Sequence, residues 1–301
     1  MRVSMRLKTK ILDKFRMVGM LPPVEGVLVR LAFNKTAGNF FAKAAPNNYQ
    51  YPKGTMRVCE RNGIRYALDI SDYMQYCIYF GIKIEPREVL YNLVENQTTV
   101  IDVGTNIGET LLNFAKLNQD GLNIGFEPVP YLFDAASRNI SLNNFPNVRL
   151  ENLALSDMQA DLVYNIVNDN NSGGIYLSTS SEAVNSTRKV AVTTLDEYVS
   201  INNIENISLL KIDVEGFEIK VLKGARKTIE NFKPAIFVEV DNTFLKRQNG
   251  SAAELAALLE AYGYDLVNAE TGEPVSAGQN FEGRHFDAIC RHDSRKANSN
   301  F

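Results

Sequence analysis

From residue 98 onward the chain alternates short apolar runs with longer stretches whose apolar residues recur every three or four positions. Short apolar runs read as strands buried on both faces, and the 3.6-residue rhythm reads as amphipathic helix. The pattern predicts strands at 98–103, 122–127 and 148–152, with helices at 108–117 and 130–142 between them. Two further β-type runs, 161–167 and 189–193, flank a polar stretch over 168–187, rich in Asn, Ser and Gly, that reads as a loop or lid. Thr194-Leu195-Asp196-Glu197 and Ser251-Ala252-Ala253-Glu254 have capping-box spacing, and each opens a helix. The run 207–213 reads as a fully apolar strand, 217–231 as a helix and 234–240 as a strand. Strands near 264–269 and 285–291 close the pattern. No helix separates them, so they read as antiparallel.

This alternation predicts an α/β fold: a Rossmann-like, doubly wound, mostly parallel sheet of seven strands. Residues 1–97 lack the rhythm and form an N-terminal α/β extension, a cap for substrate or partner. Within it, runs at 57–59 and 66–70 around Asn62-Gly63 predict a hairpin, because Asn-Gly supplies the positive φ of a tight turn. An aromatic helix with Tyr73, Tyr76, Tyr79 and Phe80 follows, as an acceptor wall or as that region's own core. The domain reading is therefore 1–97, 98–292 and a disordered polar tail over 293–301.

Composition narrows the class. A net charge of −3 offers no general attraction for nucleic acid. Three cysteines, Cys59, Cys77 and Cys290, lack a C-x-x-C pair and suit reduced thiols in a cytoplasm. No apolar run approaches the roughly 18–20 residues that span a bilayer. Residues 1–20 differ from the rest, holding Arg2, Arg6, Lys8, Lys10, Lys14 and Arg16 against Asp13, with Leu7, Ile11, Leu12, Phe15 and Val18 at helical spacing before Pro22-Pro23 stops the pattern. That is a basic amphipathic helix, resting on an anionic membrane or a partner, or docked on the main domain.

The candidate chemistry begins at Val100–Gly108. An apolar strand ends in Asp102, turns through Gly104, Asn106 and Gly108, and opens into a helix; the next strand ends in Glu127. Ligands of parallel sheets bind at such carboxyl ends. A dinucleotide fingerprint would place a pyrophosphate on glycines at this turn, but Asp102 repels phosphate and attracts an ammonium group. Glu127 is placed to accept hydrogen bonds from both ribose hydroxyls. An amine, a cationic centre and a ribose without phosphate match S-adenosylmethionine better than NAD.

At these residues the chain resembles the FkbM-type S-adenosylmethionine-dependent methyltransferases over about 64–290. The resemblance is carried by Val100–Gly108, Phe126-Glu127-Pro128, Ala154-Leu155-Ser156-Asp157, Thr194–Tyr198, Leu210–Glu218, Val221-Leu222 with Gly224-Ala225, and Val238-Glu239, in order and spacing. Thr105 departs from the family, which often has Ala there. The resemblance implies a class I methyltransferase fold in which Asp102, Gly104, Asn106 and Gly108 surround the methionine part of S-adenosyl-L-methionine, with Asp213 a further cofactor-binding candidate. It implies that Glu127, with Pro128, holds the ribose and that Ala154 and Leu155 border the adenine.

Catalytic candidates are Asp213 and Glu239, ending adjacent strands, and His285, which faces the same edge if its strand runs antiparallel. An aliphatic hydroxyl needs a base or a metal ion beside it to act as a nucleophile. Asp213 is expected to act on that hydroxyl, with Glu239 orienting the acceptor or sharing a divalent cation such as Mg with Asp213. Glu215 and Glu218 either join them or complement a helix N-terminus. The expected activity is O-methylation of a sugar, glycan or glycosylated natural product, with a small-molecule or glycan acceptor. The alternatives are an NAD-dependent or nucleotide-sugar-dependent enzyme, or a cofactor-binding scaffold without catalysis.

Overall fold

The computed structural model describes residues 13, 14, 16–83, 87–158, 162–166, 175–179 and 189–294. These divide into two compact units, one reaching Glu85 and the other starting at Pro86. Most of the basic helix expected over 1–20 and the tail from 295 lie outside the described residues.

In the second unit, β1 (Thr99–Val103), β2 (Leu122–Phe126), β3 (Val148–Glu151), β4 (Leu209–Ile212), β5 (Ala235–Asp241), β6 (Tyr264–Asn268) and β7 (His285–His292) form one sheet. Their spatial order is β3-β2-β1-β4-β5-β7-β6. Strands β1 to β5 are parallel, whereas β7 runs antiparallel to both β5 and β6. The antiparallel reading of the last two long strands therefore holds. An eighth strand, Pro274–Val275, pairs with β6, so the sheet exceeds the seven strands expected. Two residues are too few to show the alternation by which a strand is read from sequence.

Helices cover the sheet. Ile101, Ile124, Phe126, Ile212 and Val238 from the strands share one core with Leu222, Ile229, Leu255 and Leu259 from the helices. Each such burial contributes roughly 1.5–3 kcal/mol. The caps sit as the spacing predicts: Thr194 accepts from the Glu197 amide and Ser251 from the Glu254 amide.

The helix expected over 217–231 is two helices, Glu218–Gly224 and Arg226–Phe232. A Cβ on Gly224 would collide with the Ser156 carbonyl, so the glycine lets helix and loop backbones meet. The polar stretch expected to be a loop contains a strand, Ile175–Thr179, antiparallel to Leu162–Ile166. The rest of that stretch lies outside the described residues.

The boundary between units precedes the 97/98 division expected from rhythm. Leu90 and Leu93, beyond Pro86, are buried in a cluster with Val100 and Phe114 of the second unit.

The first unit carries Met56–Arg61 paired with Ile64–Asp69, turning through Asn62 (φ 52°) and Gly63 (φ 72°). Pro22 does not merely end a pattern; it opens a helix, Pro22–Ala32, at the position where proline's missing N–H costs nothing. Tyr73–Phe80 is helical, capped by Asp72, and Tyr76 and Phe80 are buried with ring centroids 4.5 Å apart. Those two aromatics belong to this unit's core, with Ile64, Tyr66, Leu68 and Ile70.

Candidate active site

The turn after β1 is shaped by close backbone approach. Gly104 has φ 81°, and a Cβ there would collide with the carbonyl oxygen of Asp213, just beyond β4. Asn106 follows in the left-handed region at φ 53°, which Asn tolerates better than most residues, and Gly108 at φ 86° starts the helix Glu109–Leu117. The unusual Thr105 is accommodated: its hydroxyl donates to the Asp102 carbonyl at 3.0 Å.

Glu127 is tied to this turn. One carboxylate oxygen accepts the Asn106 amide at 2.8 Å and the other accepts the Val129 amide at 3.0 Å. Burial pushes the carboxyl up to about 7, and the two amides oppose that rise. Each carboxylate oxygen has a second lone pair, so the group can accept further hydrogen bonds from a diol. Pro128, half-buried, follows it.

Asp102 is fully buried, and the ammonium group it meets is the protein's own. Lys211 Nζ lies 3.1 Å from Asp102 Oδ1 and 3.4 Å from Asp213 Oδ2, and it donates to the Gly104 carbonyl at 2.9 Å. Burial alone would lower the lysine, but Asp102 and Asp213 more than reverse this and hold it charged. Asp102, expected to face a ligand's ammonium, has Lys211 beside it beneath the turn, and neither of its buried carboxylate oxygens has a hydrogen-bond partner among the described residues. Lys211 is the site residue that sequence reading missed. The run 207–213 reads as apolar although a lysine stands in its middle. That lysine, inside an otherwise apolar strand, is the signal, since a buried lysine requires a partner.

Ala154 and Leu155 were expected to border an adenine. Ala154 is buried in one hydrophobic cluster and Leu155 in another, and the two form a short parallel pairing with Val192–Thr193.

At the carboxyl edge, Asp213 is 47% exposed at its side chain, which leaves it open to a ligand. Because β7 is antiparallel, its first residue reaches the same edge, and His285 Nε2 lies 3.1 Å from Glu239 Oε1. Asp241 Oδ2 is 3.8 Å from the other ring nitrogen. The hydrogen bond to Glu239 raises His285 to about 9 despite partial desolvation. Burial, with Asp213 nearby, also raises Glu239, so the pair retains a proton through neutral pH. Glu215, in the left-handed region at φ 53°, is pushed up to about 10 by burial and by Glu239, Asp213, Glu218 and Asp241. Glu218 serves its own helix start, accepting the Val214 and Gly216 amides at 3.1 Å each.

The expected divalent cation finds no support. Among the described residues no group of three or more His, Cys, Asp or Glu is arranged to hold a metal ion. An organic cofactor carrying an ammonium and a ribose fits better. Asn106 Oδ1 is buried with no hydrogen-bond partner among the described residues, and it can accept from an ammonium group. Glu127 retains lone pairs for a diol, and the surrounding acids disfavour a phosphate. Among the described residues no helix is long and apolar enough to cross a membrane.

Comparison with known proteins agrees with this chemistry. Residues 102–266 match the model of the methyltransferase FkbM domain. The chain is 26% identical over 201 residues to Methyltransferase sdnD of Sordaria araneosa, covering 56% of this chain and 74% of that protein. It is 25% identical over 187 residues to Methyltransferase 1 of Beauveria bassiana, covering 56% of this chain and 72% of that one. Among solved structures, Methyltransferase FkbM from Methylobacillus flagellatus superposes with a TM-score of 0.40 at 14% identity, covering 72% of this chain and 54% of that one.

Proposed function

Since the chain belongs to the FkbM methyltransferase family, we propose that it methylates a hydroxyl of a sugar, glycan or glycosylated natural product. The observation that carries this reading is the Glu239–His285 contact beside Asp213, a hydrogen-bonded acid–histidine pair at the carboxyl edge of the sheet. S-adenosylmethionine supplies the electrophilic methyl group when bound.

The chain's residues then divide the work. Glu127 and Asn106 would hold the ribose and the amino-acid end, and Lys211 fixes the turn against Asp213. Asp213 accepts a hydrogen bond from the acceptor hydroxyl and aligns its oxygen for in-line attack. Positioning of this kind is worth up to roughly 7–11 kcal/mol. On methyl transfer from the bound cofactor, the acceptor oxygen would release its hydroxyl proton to His285, whose charge Glu239 would stabilise. Proton transfer to a placed base contributes typically about 10²–10⁴-fold.

The test is methyl transfer from labelled S-adenosylmethionine to a panel of sugars, oligosaccharides and glycosides, with amines and thiols as controls. Label in an alkali-stable methyl ether is expected. Label only in amine or thiol acceptors overturns the reading.

A further inference from the structure

The helix Pro22–Ala32 is built inside out. Its one acid, Glu25, is buried and accepts hydrogen bonds from Tyr51, Arg57 and Tyr79, while Val27 and Leu31, one turn apart, are 52% and 41% exposed. A helix facing water presents its charged side outward; this one presents aliphatic side chains. The same holds on either side of it. Met17, Val18 and Leu21 are exposed before it, and Phe40 is 75% exposed after it. Leu28 and Pro46 close on Gly19, and the Arg16 guanidinium donates to the Lys43 carbonyl, which ties these segments into one surface. Among the described residues, twelve of the exposed large apolar side chains precede Glu85 and only four follow it. Such a concentration marks an interaction surface.

Charge identifies the occupant. Residues 1–54 hold ten Lys and Arg against two acids, in a chain whose net charge is −3. Both acids are engaged internally, Asp13 with Arg16 and Glu25 with Arg57. The charge left facing outward is therefore positive, with Arg30, Lys35 and Lys43 exposed among the apolar residues. We propose that this face, centred on Pro22–Ala32 and Phe40–Ala44, docks on an anionic phospholipid bilayer. Its apolar side chains enter the headgroup boundary and its cations meet the lipid phosphates. A second copy of the chain is a poorer occupant, because a twofold contact sets this positive face against itself.

The full chain is tested by flotation with vesicles of phosphatidylcholine alone and of phosphatidylcholine with phosphatidylglycerol. Binding only to the anionic vesicles is expected, weakening as salt is raised. Leu31→Ser with Phe40→Ser, and separately Lys43→Glu, are each expected to lower partitioning about tenfold, with the thermal unfolding midpoint confirming that the variants fold. No flotation with anionic vesicles overturns the proposal, as does flotation that the substitutions leave unchanged. Concentration-dependent self-association abolished by the Leu31→Ser and Phe40→Ser pair, without vesicle binding, reassigns the face to contact between copies and also overturns it.

Discussion

Lys211 Nζ and Asp102 Oδ1 lie 3.1 Å apart on neighbouring parallel strands, where register sets Lys211 directly beside Asp102. Both are buried, so each charge is costly there without a partner, and Asp102 has Lys211 while Lys211 also has Asp213. Removing one partner from such a pair costs about 3–5 kcal/mol, whereas replacing both by apolar groups is often neutral. Lys211→Met is therefore expected to destabilise the fold by that amount, and Lys211→Met with Asp102→Leu to recover most of it. Urea unfolding measures both; a single variant as stable as the parent contradicts the pairing.

Glu127→Gln tests the link between the turn and the ribose. The two N–H groups of Asn106 and Val129 meet different oxygens of Glu127, and the amide replaces one of those acceptors by an NH2 donor. A loss of about 1.5–3 kcal/mol in S-adenosylhomocysteine affinity is expected by calorimetry. Unchanged affinity places the ribose elsewhere.

Stability should fall as the solution becomes alkaline. His285 is raised to about 9 from 6.5, so its stabilisation is complete below 6.5 and is lost as pH rises through about 9. Glu215 is raised to about 10 from 4.5, so the folded state resists its ionisation, and stability declines as pH climbs from 4.5 towards about 10. The two effects have the same sign. Scanning calorimetry should show a midpoint that drops between about pH 6 and about pH 9.5. Glu215→Gln should flatten the curve, raising the alkaline midpoint by about 2–4 °C per kcal/mol relieved. A parent midpoint that rises over this range refutes the assignment.

Turnover should have the opposite slope. His285 accepts a proton only when neutral, so kcat/KM is expected to rise with pH towards about 9. His285→Asn should remove that rise and lower the alkaline rate about 10²-fold. Asp213→Asn should keep S-adenosylhomocysteine binding while lowering kcat. An unaltered profile in His285→Asn moves the base elsewhere.

Gly104→Ala should be severe although it adds one methyl group. The new carbon collides with the Asp213 carbonyl, and the backbone already sits at φ 81°. Strain of about 1–3 kcal/mol adds to the clash. Loss of cofactor binding together with a lowered unfolding midpoint is expected; a variant that binds normally shows that the turn can relax.

Where the sequence carried a periodic signal, it was legible. Apolar strands, capping boxes at Thr194 and Ser251, and the Asn62-Gly63 hairpin all depend on local chemistry and appear as read. What escaped was set by distant neighbours. The break after Gly224 comes from contact with Ser156, and the strand at Ile175–Thr179 takes its partner from Leu162–Ile166. Asp102 and Glu127 were visible as carboxylates at strand ends. That one would lie beside Lys211 and the other would accept two backbone amides depends on the pairing of strands far apart in the chain.

β7 enters the sheet between β5 and β6, which precede it in the chain. During synthesis those two strands leave the ribosome with a gap between them, and every peptide group along that gap lacks its partner until the residues from His285 to His292 emerge. His285, the base proposed above, arrives on the same segment that closes the gap. A chain cut short before it keeps an open strand edge between β5 and β6.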